Sequence, residues 1–357
     1  MPLSLSRLAR FSSQIVKWQE LHGRHDLPWQ NTQQPYKVWL SEIMLQQTQV
    51  ITVLGYFNRF LERFPTVASL AEAQVDDVLG LWSGLGYYSR ARNLHRCAQN
   101  VVTLHGGEFP RTAAELQSLP GIGPSTAAAI ASFCYLERAA ILDSNVKRVL
   151  TRVLAFKEDI SESANDKTLW SIANSLLPKQ GLAHTMPRYS QGLMDLGATV
   201  CTSRKPACGI CPVQRMCDGL VEGDPGRYPV KNKKLKRSSI QLWLLLARMP
   251  SGAVWLAKRP NNGIWGGLYC LPVYESEEAL FNVAPEVIKN KIEVLPPFKH
   301  MLTHRDLRLT PLSVELSSSE NSSFDSLGLC GRWYMPQEYL ALGLPAPIRK
   351  LLHTQPG

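Results

Sequence analysis

Apolar positions recur at three- and four-residue intervals through roughly the first 200 residues, the signature of helices that bury one face. Phe11, Ile15, Trp18 and Leu21 predict one face of an N-terminal helix. His22 to Gln34 reads as a loop containing Leu27-Pro28-Trp29, and Pro35 suits the first position of a helix running on through Val50. Thr112 to Leu116 reads as a short helix with a Thr start and Glu115 three residues on. Ser125 to Phe133 follows as a second helix, with Leu119-Pro120-Gly121-Ile122-Gly123-Pro124 as a tight turn between the two. Further helices are expected over Thr168–Leu177 and Pro187–Leu196.

Beyond residue 238 the pattern changes. Ile240–Ala247 and Ala253–Lys258 predict strands joined by a turn at Pro250-Ser251-Gly252, and Lys299–Thr303, Arg308–Leu316 and Gly331–Tyr334 predict more. Pro347–His353 predicts a closing helix. The expected fold is therefore multidomain: an all-α domain over 1–225, a basic linker over 226–238, and a small α+β domain over 239–357.

Charge adds a partner class. Lys plus Arg number 39 against 29 acids, a net charge of +10, which suits a polyanion. No apolar run approaches membrane-spanning length, the most apolar being Leu242–Ala247. The N-terminus reads as the first helix of the folded protein, so a monomer in the bacterial cytoplasm is expected, with nucleus and mitochondrion as alternatives. Four of the eight cysteines crowd together as Cys201-x6-Cys208-x2-Cys211-x5-Cys217. That arrangement suits a four-thiolate metal site, either zinc or an iron–sulfur cluster.

Individual residues carry candidate chemistry. Glu42 has Val38, Trp39, Leu45 and Gln46 as helical neighbours. Three of the four are apolar, and desolvation there would raise its pKa toward that of a general acid. Gln46-Gln47-Thr48-Gln49 could meet base edges. Gly80 to Tyr88 forms a Gly-rich aromatic tip, followed by a helix whose exposed face would hold Arg90 and Arg92. Gly121 and Gly123 allow unusual backbone angles and bare amides to a phosphate. Asp143 opens a helix, an N-cap position at the least.

The LPGIG turn with the downstream Leu142-Asp143-Ser144-Asn145-Val146 segment resembles the helix-hairpin-helix DNA glycosylases. The cysteine spacing is similar to that of the endonuclease III-like branch, which holds a [4Fe-4S] cluster and presents Arg204, Lys205 and Arg215 to DNA. The C-terminal segment, with Arg259 to Pro272, resembles a Nudix domain but lacks an Arg-Glu-x-x-Glu-Glu helix, which leaves recognition rather than pyrophosphatase chemistry. Together with WLSEIMLQQTQV at 39–50 and LWSGLGYYSRARNLH at 81–95, these pieces resemble the MutY-type adenine DNA glycosylases.

The resemblance implies that double-stranded DNA with adenine opposite 8-oxoguanine or guanine is the substrate. Glu42 would be the general acid, Asp143 the stabiliser of the sugar cation and Asn145 its orienter. Trp29, Leu45, Val50 and Gln191 would line an adenine pocket. Gln47, Thr48 and Tyr87 would probe the stack, Gly121 and Gly123 would hold phosphate, and Thr303 and His304 would face the oxidised guanine. Ser125 stands where lyase-active relatives carry Lys, which implies a monofunctional enzyme. Two rivals remain: an oxidised-pyrimidine enzyme of the endonuclease III type, and a non-enzymatic DNA-binding iron–sulfur protein.

Overall fold

The computed structural model describes residues 5–30, 32–232, 237–284, 286–317, 320 and 331–354. Lys233, Lys234 and Lys236 of the basic linker, together with Cys330, lie outside the described residues. By its internal packing the chain forms two compact units, Met1–Ala71 with Arg96–Lys234, and Glu72–His95 with Leu235–Gly357. Residues 72–95 thus join the second unit, although the sequence places them inside the helical segment.

Among the described residues the first unit has helices and no strand. α1 (Leu5–His22), α2 (Pro35–Leu45) and α3 (Val50–Arg63) are followed by α4 (Val67–Glu72). α5 (Val75–Leu81) lies in the second unit, and α6 (Ser89–His105) carries the chain back. Then come α7 (Ala113–Leu116), α8 (Pro124–Tyr135), α9 (Ser144–Val153), α10 (Ser163–Ser175), α11 (Leu182–Thr199) and the short α12 (Asp218–Val221). The core gathers Phe11, Ile15 and Trp18 of α1 with Ala128 and Ala129 of α8, Val149 and Leu150 of α9, and Met186, Tyr189 and Leu193 of α11. Leu21 does not join it: at 78% exposure it continues the period of α1 past the end of the partner surface.

Two local predictions are corrected. The helix expected to run from Pro35 through Val50 stops at Leu45, because Gln47 adopts φ 56 and breaks the ladder before Val50 starts α3. Gly121 does take a left-handed φ of 79, but Gly123 is extended at φ −85, so only the first glycine is required by torsion. The predicted capping of α7 is present, with Thr112 Oγ1 accepting from the Glu115 N–H at 3.2 Å.

The second unit is built on one mixed sheet. Strands β1 (Ser238–Arg248), β2 (Val254–Lys258), β3 (Tyr269–Cys270), β4 (Val273–Tyr274), β5 (Glu293–Val294), β6 (Phe298–Met301), β7 (Arg305–Glu315) and β8 (Gly331–Tyr334) are ordered β3-β2-β1-β7-β5. Off that path β4 pairs with β1, β6 with β7 and β8 with β2. The long pair β1–β7 is parallel, from Ser238 opposite Arg305 to Arg248 opposite Glu315. Leu245, Trp255, Leu280, Leu312 and Val314 bury one of its faces. Thr303, predicted in a strand, lies in the turn between β6 and β7.

Hydrogen bonds explain why 72–95 belongs here. Tyr88 Oη donates to the Leu344 carbonyl at 2.9 Å and Arg92 Nη1 to that of Gly266 at 2.6 Å. The Asp76 carboxylate accepts from Lys258 and from Tyr269 Oη at 2.5 and 2.9 Å. Arg90 is buried, not exposed as expected. It donates to the carbonyls of Leu85 and Gly86 and lies over the Trp82 and Tyr87 rings, so it braces the tip.

The two α1 leucine-class positions should separate cleanly in chemical denaturation. Ile15→Ala is expected to cost about 2–5 kcal/mol, and Leu21→Ala no more than about 0.5 kcal/mol. Comparable losses would show that the helix face is misplaced.

Candidate active site

The first unit carries an open cavity of about 1280 Å³. Its walls come from the loop after α1, from α2 and the broken segment behind it, from the starts of α8 and α9, and from α11. Glu42 enters from α2, half-buried beside Val38, which is 3% exposed. Burial pushes its carboxyl up to about 8, and the nearby Asp143 carboxylate adds to the rise. No hydrogen-bond donor reaches that carboxyl among the described residues.

Asp143 enters from the opposite element as the N-cap of α9. Its Oδ1 accepts the Val146 N–H at 2.8 Å, and Asn145 Nδ2 approaches Oδ2 at 3.4 Å. Burial still raises its pKa above the ordinary carboxylate value, against the pull of these donors and of Arg148. The N–H groups at the helix start lower the pKa as an N-cap should, but burial outweighs them. The contrast between the two acids is one of donors: Asp143 has them and Glu42 does not.

The Asp143 segment is held from three sides. Arg148 Nη2 donates to Asn145 Oδ1 at 2.8 Å and to the Gly197 carbonyl at 2.6 Å, while its Nε donates to the Cys201 carbonyl at 2.8 Å. With Asn145 Oδ1 occupied, the amide nitrogen is the end left to face Asp143. Ser125 Oγ accepts the Leu142 N–H at 3.1 Å, which fastens the chain just before Asp143 to the start of α8. Gly197 has no room for a Cβ, which would sit 2.7 Å from that of Asn145.

The remaining predicted residues divide between the units. Trp29, Leu45, Gln47, Thr48, Val50 and Gln191 all line the cavity with Glu42, Ser125, Asp143 and Asn145. Trp29 is held edge-on to Phe57, with ring centroids 5.3 Å apart. Gly121 and Gly123 are exposed on the hairpin and are not part of the lining. Tyr87 and Thr303 belong to the second unit, where their hydroxyls are 2.7 Å apart, and His304, the residue after Thr303, is exposed. Four residues escaped the sequence reading. Arg24 and Gln30 line the cavity, and both amide atoms of Gln30 are shut from solvent without a partner. Asp195 is fully buried behind the wall, and Gly197 is legible only once its neighbour is known.

Cys201, Cys208, Cys211 and Cys217 line a second, apolar pocket with Val149, Val153, Leu196, Val200, Val213 and Leu220. Four soft thiols around one apolar pocket are a donor set that fits a thiolate-bound metal group. Buried Arg152 donates to the Thr202 carbonyl at 2.6 Å and reaches Cys201 Sγ at 3.4 Å, supplying the positive charge that four thiolates need. Arg204, Lys205 and Arg215 are exposed around this loop.

Comparison with known proteins agrees with this layout. Residues 40–175 match the HhH-GPD superfamily of base excision DNA repair proteins, residues 201–217 the iron–sulfur binding domain of endonuclease III, and residues 243–354 the NUDIX domain. The chain thus carries a [4Fe-4S] cluster in the loop that holds these four cysteines. A thermostable thymine-DNA glycosylase structure covers 61% of the chain and is itself 98% covered, at 27% identity and a TM-score of 0.53. An endonuclease III–DNA complex, 19% identical with a TM-score of 0.52, shares the fold over 62% of the chain and 99% of its own. The fold and site thus define a helix-hairpin-helix DNA glycosylase. Adenine DNA glycosylase of Buchnera aphidicola is 38% identical over 346 residues, spanning 96% of the chain and 97% of that protein. That of Mus musculus is 40% identical over 250 residues, 66% of the chain and 48% of its own length. The chain belongs to the adenine DNA glycosylase family.

Burial of Glu42 has a measurable consequence for stability. Between its ordinary value near 4.5 and about 8, the folded protein retains a proton that the unfolded chain has lost, so stability falls as pH rises. Glu42→Gln should therefore raise Tm at pH 8 and lose that advantage toward pH 4.5. A difference independent of pH would place the carboxyl in water.

Proposed function

We propose that the protein hydrolyses the N-glycosidic bond of adenine mispaired with 8-oxoguanine or guanine in duplex DNA, as a monofunctional base-excision glycosylase. The observation that carries this reading is the pairing of Glu42 and Asp143 in one cavity with unequal access to donors. The adenine must leave the stack to enter such a cavity. It would lie among Trp29, Leu45, Val50 and Gln191. Glu42, protonated at neutral pH, gives its proton to N7, so the base departs neutral rather than as an anion. Positive charge then builds on the sugar, and Asp143, supplied with N–H donors, stabilises that cation before water adds. Asn145 keeps Asp143 aimed.

The other predicted residues take roles around this step. The amides after Gly121 and Gly123 would hold backbone phosphate. Gln47, Thr48 and Tyr87 would occupy the space around the opposing base, with Thr303 and His304 contacting the oxidised guanine. The [4Fe-4S] cluster would fold the loop bearing Arg204, Lys205 and Arg215. Ser125 has no amine for a Schiff base, and its hydroxyl is engaged with the Leu142 N–H.

A single-turnover assay on a duplex with adenine opposite 8-oxoguanine tests the reading. Adenine release is expected, with a rate that falls as pH rises through about 8. Glu42→Gln should lose at least about 10²-fold, and borohydride should trap little protein on DNA. Thymine-glycol incision without adenine release, or binding without turnover, would overturn it.

The lesion contact is tested separately. Thr303→Ala with His304→Ala should narrow the preference for adenine opposite 8-oxoguanine over adenine opposite guanine. Equal loss on both duplexes would locate recognition elsewhere.

A further inference from the structure

Asp195 sits on α11 one turn beyond Gln191, is wholly shielded from solvent and is not part of the cavity wall. Its Oδ1 accepts from Gln191 Nε2 at 2.9 Å and from Arg24 Nε and Nη2, both at 2.7 Å. Its Oδ2 accepts the Arg24 backbone N–H at 3.0 Å. A carboxylate in this setting can only accept. Gln191 must therefore turn its amide nitrogen toward Asp195. Its carbonyl oxygen Oε1 has no partner within the described protein, and Gln191 lines the cavity.

We infer that Asp195 is a positioning residue that fixes the Gln191 amide in one orientation, so that the pocket offers a hydrogen-bond acceptor and refuses a donor at that point. This rests on the adenine reading above and deepens it. A 6-aminopurine can donate its exocyclic N–H to Gln191 Oε1, whereas a 6-oxopurine places a carbonyl oxygen against it. A free glutamine amide could flip and serve both. The locked amide serves the first alone, because a site built around one polarity leaves the wrong partner unpaired. The same carboxylate ties down Arg24, and through it the start of the loop that carries Trp29 and Gln30, so specificity and wall geometry share one anchor.

The test compares adenine with hypoxanthine, each opposite 8-oxoguanine, by kcat/KM. Asp195→Asn supplies an N–H that can bond Gln191 Oε1, which frees Gln191 to present its nitrogen to the cavity. The adenine-to-hypoxanthine ratio should fall by about 10-fold or more. Gln191→Leu, which leaves the Asp195–Arg24 pair intact, should lower the ratio similarly. In the Gln191→Leu background, Asp195→Asn should change the ratio by no more than about twofold. A ratio unchanged in either single variant, or the same further fall in both backgrounds, would overturn the proposal, since a purely structural aspartate slows both bases alike. Should Asp195→Asn not fold, as cluster absorbance and circular dichroism report, the Gln191→Leu ratio alone decides. A wild type that releases neither base would instead sink the adenine reading itself.

Discussion

A carboxylic acid that keeps its proton near neutrality must be poorly hydrated and short of hydrogen-bond donors. The rest of the site depends on meeting that condition at Glu42. α2 meets it by setting the residue among Val38 and Trp39, both buried, on a helix whose other side is core. The break at Gln46–Gln49 then ends α2 one turn later and turns polar side chains into the cavity, where a continuous helix would have carried them round its own axis. Strain at Gln47, with its left-handed φ, is the local cost of that change of direction.

The opposite acid is handled by the reverse strategy. Asp143, Asn145, Arg148 and the Gly197 carbonyl form a chain in which each polar atom has a defined partner. Asp195 repeats the pattern behind the other wall with Arg24 and Gln191. In a low-dielectric interior, an acceptor saturated in this way fixes the orientation of everything that donates to it. The site is thus rigid where charge must be stabilised and bare where a proton must be retained.

Much of this was legible in the sequence. The 3.6-residue period placed the helices, the Gly-rich hairpin and N-cap pattern placed Asp143, and cysteine spacing placed the metal loop, because each depends on neighbours close in sequence. What escaped depended on distant partners. Leu21 continues a perfect apolar period yet finds nothing to cover it. Arg90 reads as a surface charge but is buried over Trp82. Arg24 and Asp195 are 171 residues apart, and no local pattern joins them. Asp143 shows the limit of helix-end reasoning: the cap is as expected, but burial in the assembled cavity outweighs it.

The path of the chain carries one more consequence. It passes from one compact unit to the other at 71–72, returns at 95–96 and leaves again at 234–235. The strand-rich unit is therefore not an appendage that a single scission could detach. Cutting after residue 234 would leave 72–95 behind with Asp76, Tyr88 and Arg92 stripped of Lys258, Leu344 and Gly266. The middle of the helical sequence thus carries polar groups whose partners lie beyond residue 234, so the two modules are tied together by more than one crossing of the polypeptide.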